Sequence, residues 1–162
     1  MGAGFIFPNM YRLITEISQR CHQTATKRGK DTSCVGCLKY LHTELGEYWK
    51  AVEAGKIAPD MADLVQQATG LSDEDFTAFY SEKIHNTTTD ELADILIVAA
   101  SWYEAAKIGE GDDFNPGKSL DVLLLSGAIH FVFDRTNCDP ADIELVRQVV
   151  NLKMRYNETR ND

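Results

Sequence analysis

The sequence is short of cysteine, proline and positive charge, and it holds no long apolar run. Four cysteines (Cys21, Cys34, Cys37 and Cys138) in 162 residues are too few for a disulfide scaffold. Cys34-x-x-Cys37 has the spacing of a ligand or redox pair. No second Cys or His pair at comparable spacing accompanies it, as zinc would need, and no strand pattern surrounds it, as a thioredoxin-like motif would need. The two read as small residues in the first turn of a helix. The 16 Lys and Arg stand against 25 Asp and Glu, a net charge of −9, which argues against broad binding to nucleic acid or an anionic membrane. The longest apolar stretch, around Leu120 to Phe133, is broken by Asp121, Ser126 and His130 and is too short to span a bilayer. The first eight residues lack the basic flank and apolar run of an export signal, and Ile6 stands where a myristoylation motif after Gly2 wants Ser or Thr. The expectation is a soluble cytoplasmic protein with reduced thiols. Internal repeats, low-complexity tracts and alternating strand patterns are also missing.

What is present is ordinary globular material, 44% hydrophobic and 25% charged, enough for one domain over residues 1–162 with a substantial core. Its punctuation is helical. Pro8-Asn9 precedes Met10, Leu13, Ile14, Ile17 and Cys21 at helical spacing, closed by Lys27-Arg28-Gly29. Ser33 caps a second segment in which Leu38, Leu41, Leu45, Tyr48 and Val52 share a face up to Gly55. Pro59 opens a short helix ending at Gly70, and Ser72-x-x-Asp75 opens another ending near His85. Thr88-x-x-Glu91 starts a helix through about Lys107. Gly109 to Gly117 is the clearest linker, followed by an apolar helix near Ser119 to Asp134. Asp139-Pro140 begins the last helix, to about Arg160. The fold class is all-α: a bundle of four to five main helices with short inserted ones.

Two carboxylate pairs stand out, Glu44-x-x-Glu47 and Glu91-x-x-Asp94. Residues three apart on a helix are neighbours, so each pair can aim two carboxylates into one small volume. Glu44 falls at the edge of its helix's apolar stripe, and Glu47 one step further round. The helix of Glu91 is apolar nearly all round, as buried helices are. Carboxylates there need cations, and a divalent metal with oxygen ligands supplies them. Each pair alone is also what a solvated helix surface displays, and Glu91 also completes a capping box with Thr88. In the last helix the inward face of Val146 and Val150 continues into Lys153, Asn157 and Arg160. A solvated helix end explains such residues, and so does a phosphate-facing set of point charge, neutral amide and guanidinium fork. Carboxylates for metal together with that set suggest a nucleotide polyphosphate.

Glu44-Leu-Gly-Glu47, Asp90-Glu91-Leu-Ala-Asp94-Ile95, Lys153-Met-Arg-Tyr156-Asn157-Glu-Thr-Arg160 and, more loosely, Cys21-His22 with Lys27-Arg-Gly29 occur in one order along the chain. In this the sequence resembles the all-α nucleoside triphosphate pyrophosphohydrolases, the MazG-like and dimeric dUTPase superfamily. The resemblance implies a MazG-like bundle that hydrolyses a (d)NTP to the (d)NMP and pyrophosphate, as in nucleotide-pool cleansing. It implies Mg²⁺, or Mn²⁺, on Glu44, Glu47, Glu91 and Asp94, with Glu47 or Glu44 acting on the attacking water. It implies substrate contacts from Lys153, Asn157 and Arg160, with His22 and Lys27 as further pocket residues. It implies a homodimer or homotetramer as well. The segments 56–86 and 109–136 are longer than compact members carry and sit where they would reshape the base pocket or the oligomer interface. Alternatives within the superfamily are a dUTPase/dUDPase-type or a phosphoribosyl-ATP pyrophosphohydrolase. Outside it are a non-catalytic helical nucleotide-binding or interaction module and a di-iron bundle. The di-iron bundle needs two E-x-x-H motifs, and only Glu82-x-x-His85 occurs.

Overall fold

In a computed structural model, the backbone is described for residues 3–115 and 119–160, and side chains for 8–115 and 123–160. Gly2, Ile6, Gly117, Ser119, Leu120 and Asp121 lie outside the described side chains. The described elements are all helical: α1 (Ala3–Lys27), α2 (Cys34–Glu53), α3 (Met61–Thr69), α4 (Asp73–Lys83), α5 (Thr88–Glu110), α6 (Ser119–Arg135) and α7 (Pro140–Thr159), with one 3₁₀ turn at Gly111–Asp113. Five long helices and two short ones match the expected bundle with insertions. No helix among the described residues is long and apolar enough to cross a membrane.

The helix boundaries follow local chemistry. Ser33 Oγ accepts from the Gly36 amide at 3.1 Å and starts α2. Asp139 Oδ1 accepts from the Ala141 amide at 2.8 Å and starts α7, with Pro140 in the first helical position. Gly29, at φ +73°, closes α1 while the Lys30 amide donates back to the Ala25 carbonyl.

Several boundaries differ from the expected ones: α3 starts at Met61, after Pro59, and α5 runs on through Gly109 to Glu110. Pro8 lies inside α1 instead of ahead of it. It withholds one backbone donor near the helix end, and burial of Met10 and Ile14 within the next two turns holds the helix in place. The cap of α5 is Thr87, not Thr88: its Oγ1 accepts from the Asp90 amide at 3.2 Å. The one-residue change frees Glu91 from any capping role.

α5 is the axis of the bundle, packed against α1, α2, α6 and α7, while α3 and α4 lie on α7. Leu92, Ala93, Ile95, Leu96, Ala99 and Ala100 are all buried, as expected of a helix apolar nearly all round. The core closes on Ile14 from α1, Leu125, Ile129 and Val132 from α6, and Val146, Val149 and Val150 from α7. Phe76, Tyr80 and Ile84 seal the inserted α4 region into the same core.

On α2 the buried row differs from the stripe read in the sequence. Leu38 and Val52 are exposed, whereas Cys37, Tyr48 and Ala51 are buried and Leu41 is half-buried. The inward row therefore runs 37–41–44–48–51, and Glu44 occupies its middle, not its edge.

Candidate metal and phosphate site

Glu44 from α2 and Glu91 and Asp94 from α5 each bring a carboxylate oxygen to within 4.8 Å of the other two. The three line a cavity of about 320 Å³ between α1, α2, α5 and α7. Asp94 and Glu91 point the same way because they are three residues apart on one rigid helix. Glu44 meets them because the inward row of α2 lies along α5. Glu47 lines the cavity too but stands outside the three-carboxylate cluster, with Lys50 Nζ at 3.5 Å from its Oε1.

Burial raises the affinity of these acids for protons. Glu91 is pushed up to about 7, first by burial and then by the charges of Asp90 and Glu44, with Lys153 opposing. Burial raises Glu44 as well. Asp94 is held well above the usual carboxylate range by burial and then by the Asp90 charge. Three such oxygens in one volume resist ionisation together unless a cation joins them. The donor set is carboxylate only, which suits a hard divalent ion such as Mg²⁺ or Mn²⁺ and not a thiolate-seeking metal.

A fourth acid, which the sequence reading passed over, organises the surroundings. Asp90 is fully buried. Its Oδ1 accepts from Tyr80 Oη at 2.5 Å and Lys153 Nζ at 2.9 Å, and its Oδ2 accepts from the Asn86 amide at 3.0 Å and Lys153 Nζ at 3.1 Å. His85 Nδ1 lies 3.5 Å from Oδ2. Burial alone would raise the Asp90 carboxyl, but His85, Lys153 and Tyr80 outweigh it and hold the group below its ordinary value. Its sequence signal was Thr87-x-x-Asp90, a cap pattern one residue ahead of Thr88-x-x-Glu91.

The three α7 residues singled out in the sequence all line the cavity. Lys153 is buried, and its amine stands 3.2 Å from Asp94 Oδ2 besides its contacts to Asp90. Its charge is therefore engaged by carboxylates instead of standing open to a phosphate. Burial lowers the proton affinity of the amine, and Asp94 and Asp90 more than restore it. Asn157 Oδ1 is buried without a hydrogen-bond partner among the described residues. Arg160 lies over the Tyr156 ring at 5.0 Å.

From α1 the residues lining the cavity are Arg20, Cys21, Thr24 and Ala25, joined by Arg28 in the turn just after it, which leaves His22 and Lys27 outside the lining. Helical phase explains the difference: the side of α1 that meets the cavity runs through 21, 24 and 25, and positions 22 and 27 turn off it. Arg20 forms a two-pronged ion pair with Glu158 of α7 across the rim. The α1–α2 loop adds Lys30, Asp31 and Thr32, and Lys30 Nζ lies 5.0 Å from the Tyr40 ring centre. That loop is pressed onto Gly36, where a Cβ would come within 2.4 Å of the Asp31 carbonyl oxygen.

The Glu82-x-x-His85 pair gives no second metal site of di-iron type. Glu82 is exposed beside Lys83, and His85 turns to Asp90. Compared with protein-family models, with curated proteins and with solved structures, the chain matches none. The site therefore stands on its geometry alone.

Proposed function

We propose that the chain is a Mg²⁺-dependent nucleoside triphosphate pyrophosphohydrolase of MazG-like type, hydrolysing a (d)NTP to the (d)NMP and pyrophosphate. The observation that carries this reading is the convergence of Glu44, Glu91 and Asp94 in a cavity whose walls also bear Arg28, Lys30 and Arg160. Acids alone would suit any cation site. Acids and bases around one 320 Å³ space suit a metal–polyphosphate ligand.

Glu44, Glu91 and Asp94 hold the ion. Bound there, Mg²⁺ or Mn²⁺ neutralises phosphate charge and lowers the pKa of water. Arg28, Lys30 and Arg160 take the phosphate oxygens, and Asn157 offers its unpaired Oδ1 to a hydrogen-bond donor on the nucleoside. Glu47 orients the attacking water and receives its proton as the water oxygen bonds to the α-phosphorus. The bond between the α-phosphorus and the oxygen bridging it to the β-phosphorus then breaks, and pyrophosphate leaves with that oxygen. Lys153 balances the acids. α2 leaves Leu38, Trp49 and Val52 exposed, which supports assembly as a homodimer or homotetramer.

The test is incubation with a panel of dNTPs and NTPs plus Mg²⁺ and separation of the products. A monophosphate with pyrophosphate is expected. Orthophosphate with a diphosphate, or no turnover across the panel, overturns the reading, and the second outcome favours a nucleotide-binding module. Light scattering showing a monomer would overturn the assembly.

A further inference from the structure

Lys153 and Asp90 form a charged pair in the interior of the protein, with side chains 2% and 0% exposed. Neither belongs to the carboxylate cluster, yet the lysine touches it through Asp94 at 3.2 Å. An ammonium group has three donors and no acceptor capacity. Here they meet both oxygens of Asp90 and one oxygen of Asp94, with His85 Nδ1 further off at 3.4 Å. Asp90 is fixed in turn by Tyr80 from α4 and by the Asn86 amide in the turn before α5. The rings of Tyr80 and Tyr156 flank the amine at 5.7 and 5.6 Å. The lysine has little room to leave.

We infer that Asp90 is a positioning residue for the metal site: by holding most of the Lys153 ammonium, it keeps that cation from closing an exclusive ion pair with Asp94 and so leaves Asp94 available to a divalent ion. This inference rests on the reading of Glu44, Glu91 and Asp94 as metal ligands. The physical argument is competition. A buried ammonium must have anionic or polar partners, and the two carboxylates within its reach are Asp90 and Asp94. If Asp90 becomes neutral, the ammonium turns to Asp94, and a divalent ion must displace it before it binds. Partners of this kind, one shell out from a metal, typically change metal affinity 10- to 100-fold.

The test measures Mn²⁺ binding directly, by electron paramagnetic resonance of free Mn²⁺ and by calorimetry, with no substrate present. Asp90→Asn should weaken Mn²⁺ about 10- to 100-fold, and Asp90→Asn combined with Lys153→Met should restore affinity to the wild-type level or tighter, because the competing cation is gone. Tyr80→Phe removes one hydrogen bond to the Asp90 carboxylate without changing any charge and serves as the structural control: it should lower thermal stability while leaving Mn²⁺ affinity within about threefold. Should Asp90→Asn fail to fold, the double variant still carries the prediction: with the competing ammonium gone it should bind Mn²⁺ no more weakly than the wild type, and weaker binding overturns the inference. Unchanged Mn²⁺ affinity in a folded Asp90→Asn, or a double variant that binds as weakly as the single one, overturns the inference while leaving the metal site standing. Absence of Mn²⁺ binding by the wild type overturns the metal site itself and this inference with it. Nucleotide turnover enters neither outcome, so failure of the pyrophosphohydrolase reading is seen separately.

Discussion

Glu91 and Asp94 on α5, and Glu44 and Glu47 on α2, share one spacing but not one environment. The α5 helix is buried on nearly every side, so both of its acids are drawn toward the cavity and both join the cluster. The α2 helix has one inward row, through Glu44. Glu47 is half-exposed next to Lys50. Spacing thus decides which side chains are neighbours on a helix. The width of the buried face decides how many of them reach the same ligand.

The strongest way to break that comparison is Glu91→Gln. Metal-dependent turnover should fall about 100-fold or more, while the metal-free protein stays folded, because a costly buried carboxylate has been removed. Retained activity would show that the α5 pair is not the ligand pair. A finer separation comes from α2. Glu44→Gln should weaken Mn²⁺ binding about tenfold or more, whereas Glu47→Gln should leave affinity within about threefold and cut kcat about 100-fold. Equal loss of affinity in both would erase the difference drawn between them.

The pH dependence tests the burial behind it. Glu91 rises from 4.5 to about 7 on folding, so its contribution to stability is complete below 4.5 and is lost as pH climbs through 7. Glu44 and Asp94 shift in the same direction. Asp90, lowered instead, matters only at acid pH. Melts in chelator should therefore show a midpoint that falls between about pH 5 and pH 8, and added Mn²⁺ should flatten or reverse the slope. A flat profile in chelator would count against the buried cluster. The smallest effect expected is that of Lys50→Ala, which removes an exposed pair worth less than about 0.5 kcal/mol and should leave the melting temperature nearly unchanged.

Much of this was legible in the sequence. Caps at Ser33, Ser72 and Asp139 fell where short polar residues precede helical spacing, and the acid pairs and the inward Lys153, Asn157 and Arg160 followed from periodicity. What was not legible came from phase and from contacts between distant segments. Thr87-x-x-Asp90 and Thr88-x-x-Glu91 fit a cap equally well, and only the direction in which Glu91 faces separates them. On α2 the leucines suggested a stripe about one position away from the row that packs. On and just after α1, Arg20 and Arg28 reach the cavity while His22 and Lys27 do not, a difference of a fraction of a turn that periodicity alone does not resolve. Asp90 meets Lys153 across 63 residues of chain, and no local pattern announces such a pair.

The way α2 is held has a consequence for what a cation bound at the carboxylates would do. This helix lies along α5, touches α6 through the rings of Tyr48 and Phe131, and turns Val35, Leu38, Trp49 and Val52 outward. It is the side of the cavity with the least covering it. Were it to lift as a unit, Glu44, Glu47, Tyr40 and Thr43 would depart together, while Glu91, Asp94 and Lys153 stayed on α5 and α7. A cation held by both sides would then act as a clasp between the two walls. Amide protons along α2 should exchange with solvent more slowly when Mn²⁺ is bound, and those at the centre of α5 should hardly notice.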